Sequence, residues 1–113
     1  MRHVLIPAFA LAGVVTAGSA QAEPSAANGH MLFVKVGCYE CHGYQGQGGA
    51  AGPRIAPDPL PFDGLAAFVR TTSGEMPPYT TTILPDNDLA DIYAYLQSIP
   101  RPPALADVPL LKQ

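Results

Sequence analysis

The chain has 113 residues with a formal net charge of −3, 48% hydrophobic residues and only 13% charged ones, together with 13 prolines, 11 glycines, 2 cysteines and no tryptophan. A weakly acidic chain of this size has neither the basic surface that nucleic acid or anionic lipid requires nor the length for several domains. Two cysteines also exclude a multi-disulfide scaffold.

Met1-Arg2-His3, an apolar run from Val4 to Val15 and Ser19-Ala20-Gln21-Ala22 have the order of a secretory signal peptide, with Glu23 as the first mature residue. The alternative is an uncleaved anchor, but the apolar run falls short of the about 20 residues needed to cross a bilayer. The expected organisation is a signal peptide over 1–22, a folded domain over 23–100 and a Pro-rich tail over 101–113, located in the periplasm with no membrane span after cleavage. One of the 6 basic residues, Arg2, lies in the leader, so 5 remain against 9 acidic ones, a formal charge of −4.

A short linker, 23–27, leads to a predicted helix over 29–36, with Asn28 as its N-cap and Gly37 ending or bending it. Next comes Cys38-Tyr39-Glu40-Cys41-His42. Two thiols three positions apart on one helical turn can each add to a vinyl group of haem, and the adjacent imidazole is placed to ligate the iron. A thioredoxin-like thiol pair would need a strand-helix-strand setting that is not seen. A structural zinc site would need four ligands, and beyond this motif the mature chain offers only His30 as a further Cys or His.

Residues 43–52 are glycine-rich and 53–61 proline-rich, which predicts a loop rather than a regular element, ordered over a cofactor with glycine permitting close backbone approach. Asp63 is the expected N-cap of a two-turn helix with Leu65, Phe68 and Val69 on one face. A second loop, 71–82, holds Gly74-Glu75-Met76-Pro77-Pro78-Tyr79. The last helix is the clearest, with Leu89, Ile92, Tyr93, Leu96 and Ile99 at helical spacing, Asp86 and Asp88 at its positive end, and Pro100 as its stop. No repeat or strand-like alternation is present.

A haem iron held by His42 has a sixth position, and its occupant separates electron transfer from small-molecule binding. Met76 is the candidate: it lies 34 residues past His42, in a loop stiffened by two prolines. Met31 and His30 stand too close to Cys38 to reach the opposite haem face, so packing is expected of the first and a surface position of the second.

The succession of Cys38 to His42, Gly52-Pro53-Arg54-Ile55, Gly74 to Tyr79 and a final helix with Ala94-Tyr95-Leu96 resembles the landmarks of class I c-type cytochromes, over residues 29–99. The resemblance implies an all-α fold, three to four short helices wrapped around one covalent haem c. It further implies thioethers from Cys38 and Cys41, iron ligation by His42 and Met76, a Pro53 carbonyl accepting from His42 Nδ1, Ile55 on the haem face, and Tyr79 in the pocket. Gly29 and Phe33 match positions where the first helix crosses Ile92 and Tyr95 of the last, and Arg54 is either a propionate contact or solvated. The function implied is one-electron transfer, not catalysis, from a periplasmic dehydrogenase to a downstream cytochrome or oxidase. The alternative is a haem protein with an open sixth site acting as gas sensor or peroxidase.

Overall fold

The computed structural model describes residues 22–111, so the expected leader over 1–22 lies almost entirely outside the described residues. Among the described residues the regular elements are helical: α1 (Ala26–Lys35), α2 (Cys38–His42), α3 (Phe62–Thr71) and α4 (Asp86–Ser98), followed by two short 3-10 turns at Leu105–Asp107 and Pro109–Leu111. This is the all-α arrangement of four short helices that the resemblance implies. None of these helices is long and apolar enough to cross a membrane.

The start of α1 departs from the sequence expectation. Ser25, not Asn28, is the N-cap: its hydroxyl accepts from Asn28 N–H at 3.2 Å, which brings part of the expected linker into the helix. Asn28 instead sits inside the first turn and donates through Nδ2 to Asp91 Oδ2 at 2.7 Å, while Ser25 N–H donates to Asp91 Oδ1 at 2.6 Å. One carboxylate on α4 thus satisfies two donors at the end of α1, where helical N–H groups have no intrahelical acceptor. These hydrogen bonds, the one from Asn28 foremost, hold the Asp91 carboxyl below its ordinary range.

α3 also begins earlier and runs longer than the two turns expected from Asp63. The backbone enters the helix after Pro61, whose ψ of 143° is extended, and Asp63 becomes a first-turn acid instead of the cap. The early start lets Phe62 meet Tyr93 of α4 edge-on, with ring centroids 5.3 Å apart. α4 itself begins and ends close to expectation, with Asp86 and Asp88 in its first turn and Ser98 as its last residue.

The core is a single cluster: Phe33 from α1, Ala56, Val69 from α3, Leu84, and Leu89, Ile92, Tyr95 and Leu96 from α4. α1 and α4 cross at Gly29. A Cβ there would stand within 1.8 Å of the Asp91 carbonyl oxygen, closer than any side chain permits, so only glycine allows this approach. Tyr95 joins three parts of the chain. Its ring packs on Phe33 at 5.5 Å and on His30 at 4.8 Å, and its hydroxyl donates to the Tyr44 carbonyl at 2.7 Å, in the loop after α2. His30 is on the surface as expected. Met31, expected to pack, is 63% exposed, because the buried face of α1 is set by Gly29 and Phe33.

Candidate functional site

α2 is a helix of only five residues, too short to persist alone, and the chain holds it from both ends. Gly37 precedes it with φ of 85°, a left-handed turn that follows α1 after Val36. Beyond it, Gly48 N–H donates to the His42 carbonyl at 2.8 Å, and the Gly46 carbonyl accepts from both Ile55 N–H (2.8 Å) and Ala56 N–H (3.0 Å). Gly46 has φ of 64° and is buried, and an added Cβ would press on Ala56, Ile55 and Leu96 at 3.1 Å. The glycine loop is therefore ordered, with Gly46 packed on the chain's own core and Gly48 on the backbone of Arg54.

Cys38 is half-buried, Cys41 exposed and His42 buried, all on one turn. His42 Nδ1 lies 2.8 Å from the Pro53 carbonyl oxygen. A carbonyl can only accept, so Nδ1 carries the proton, and in the neutral ring the lone pair is on Nε2. Burial pushes the Cys38 thiol up to about 11. Reactive dithiols depend on a lowered thiol pKa, so this pair is poorly set for thiol-disulfide exchange.

The second half of the site is the segment between α3 and α4. Met76 is half-buried against the core, and Leu84, 2% exposed, anchors the segment's far end. Tyr79 is pinned at three atoms. Its N–H donates to Val69 O at 2.9 Å, its carbonyl accepts from Arg70 at 2.7 Å, and its hydroxyl donates to Val36 O at 3.0 Å. Arg70 also pairs with Asp86 at 2.7 Å. Desolvation by burial, first of the causes, raises the Tyr79 phenol above its ordinary value.

These two halves face one cavity of about 580 Å³, within the range of small-molecule sites. Cys38, Cys41, His42 and Met76 all line it, as do Pro53, Ile55 and Tyr79, and its walls are otherwise mostly apolar, with Phe33, Leu65 and Leu89 among them. Arg54 is exposed and lines it too, and Phe68, on the apolar face of α3 with Leu65 and Val69, lines it with 53% of its surface accessible. All seven residues singled out from the sequence as the site thus meet at one cavity. Sequence reasoning missed Arg70, Asp91 and Leu84, and only Leu84, an apolar residue just before the last helix, left any local signal.

The donor set suits a tetrapyrrole: two thiols at helical spacing, an imidazole with Nε2 free, a thioether across the same cavity, and apolar walls. The comparisons decide its kind. Residues 24–96 match the family described as "Cytochrome C oxidase, cbb3-type, subunit III". The chain belongs to this cytochrome c family. The cytochrome domain therefore carries covalent haem c and serves electron transfer rather than catalysis. It is also similar to the "Menaquinol:cytochrome c reductase cytochrome c subunit" of Bacillus subtilis (strain 168), 39% identical over 51 residues. That stretch is 45% of this chain but only 20% of the relative, so the cytochrome domain matches about a fifth of that protein's length. No solved structure matches the chain.

Proposed function

We propose that this cytochrome domain is a one-electron carrier with its iron held between His42 and Met76, working in the periplasm after removal of a leader over 1–22. The observation that carries the reading is the meeting of His42 and Met76 at the same apolar cavity as the two motif thiols. Haem c, when bound, supplies the ferric/ferrous couple. His42 would ligate through Nε2, its ring oriented by the Pro53 carbonyl. Met76 would offer a soft, neutral thioether, which favours the ferrous state, and the apolar walls disfavour the extra ferric charge, so both raise the reduction potential. Met76 held there would also compete with peroxide or gas for the iron.

The proposed donor is a dehydrogenase and the proposed acceptor a respiratory cytochrome or oxidase. The two comparisons are, by name, with a subunit of an oxidase and a subunit of a reductase, which supports a role inside an assembly. Residues 101–111 support a separate tail: Leu105 and Leu110 are 76% and 80% exposed, and an exposed Arg101–Asp58 pair at 2.6 Å is the salt bridge that reaches back to the domain. The test is affinity purification of the intact chain from its native membrane and periplasmic fractions. Co-purification with a larger redox enzyme is expected, and quantitative recovery as a free monomer would count against the assembly. Ferric protein should show the weak far-red band of methionine-to-iron ligation, and rapid CO binding without that band would favour an open site.

A further inference from the structure

With Met76 as the iron ligand proposed for this site, we infer that Arg70 is a positioning residue that keeps the thioether on the iron. Met76 belongs to a segment without regular structure from Thr72 to Pro85, with Gly74 at φ of 140° and open space around it. Nothing local therefore fixes the height of the Met76 backbone over the cavity. Pro77 and Pro78 convert the problem, because two fixed φ angles pass the placement of residue 79 back to residue 76. Where Tyr79 is held, Met76 is held.

Arg70 is the charged part of that hold. Its side chain is 17% exposed, and its planar guanidinium uses Nη1 on the Tyr79 carbonyl and Nη2 on Asp86, both at 2.7 Å. The fork thus ties the methionine segment to the last turn of α3 and the first residue of α4. Charge-assisted bonds from a rigid fork are stronger and more directional than neutral ones. The neighbouring Val69 carbonyl takes the Tyr79 N–H, so adjacent residues of one helix grip the two peptide units that flank the Tyr79 Cα. Arg70 itself needs no contact with the haem to do this.

The experiment uses ferric holoprotein and imidazole, a ligand that must displace the thioether to bind. R70A should raise the affinity for imidazole roughly tenfold or more, the scale expected from losing a charge-assisted bond at a carbonyl and one at a carboxylate, and should weaken the far-red band. D86N, which leaves the Arg70 bond to Tyr79 in place, should change the affinity less than about threefold, as for an exposed ion pair. An R70A protein with wild-type imidazole affinity and an intact band overturns the inference, even if its melting temperature falls, because Arg70 would then be structural only. R70Q keeps most of the stem and loses the fork, and it is held to the same two outcomes where R70A does not accumulate. A wild-type protein without the far-red band would instead overturn the Met76 assignment itself.

Discussion

The two sides of the cavity are built on different length scales. On the His42 side, both thiols, the imidazole, the loop that closes behind them and the Pro53 carbonyl all fall within residues 37–56, and the bond from His42 spans 11 positions. On the Met76 side, the segment is held by Arg70 and Val69 of α3, by Val36 at the end of α1, 43 positions from Tyr79, and by the first residue of α4. The first side is a local motif that a small stretch of chain can specify. The second exists only once three helices are in place, so it should be the side that yields first when packing is weakened.

The largest expected effect lies on the local side. Replacing Cys38 and Cys41 together by Ala should abolish covalent haem, read as a missing haemochrome signal after denaturation, and leave little folded protein because so small a core needs its staple. Gly29→Ala comes next: its methyl would collide with the Asp91 carbonyl at the α1–α4 crossing, and forcing the helices apart should cost about 1–3 kcal/mol in denaturant unfolding. That loss should open the Met76 side to external ligands before the His42 side releases anything.

Met76→Ala should leave the fold nearly intact but lower the reduction potential and let CO bind the ferrous protein, measured by redox titration and flash photolysis. An unchanged potential would mean that the thioether is not on the iron. Tyr79→Phe removes the hydroxyl bond to Val36 and should cost about 0.5–1.5 kcal/mol, with a weaker far-red band.

The smallest effect is one of pH. The Asp91 carboxyl is held below its ordinary value of 3.8, mainly by the bond from Asn28, so the unfolded state binds its proton more tightly than the folded one. Its contribution is then complete above the ordinary value and is lost as pH falls through the lower folded value. Wild type and D91N should therefore differ in stability by a constant amount, under about 1 kcal/mol for so accessible a group, at neutral pH, and converge in acid. Equal stabilities of the two proteins at every pH would show that the α1–α4 staple contributes nothing.

Much of this was legible in the residues because the information is short-range. Cys38 to His42 declares a cofactor by chemistry and spacing alone, and α4 declares itself by apolar periodicity and its terminal acids. Helix starts were less legible. Asn28 and Asp63 both look like caps, yet the backbone enters each helix two or three residues earlier, drawn by a partner on α4: Asp91 for the first and Tyr93 for the second. Met31 misled for a similar reason, since apolar character does not say which side of a helix its neighbours will bury.

The sequence by itself determined the covalent cofactor, the helical segments and Met76 as the candidate second ligand, since thiol spacing, helical period and proline placement act over a few positions. The all-helical class and the pocket roles of Pro53, Ile55 and Tyr79 came through the resemblance that its landmarks carry. The tertiary structure alone decided how those residues are held. Arg70 has no local partner that marks it, Asp91 is one acid among several in α4, and Gly29 is informative only when another helix lies 1.8 Å from the Cβ it lacks. Hydrogen bonds across 43 to 66 positions depend on packing that no local pattern encodes, because each donor meets its acceptor only after the core around Phe33 and Leu96 has closed.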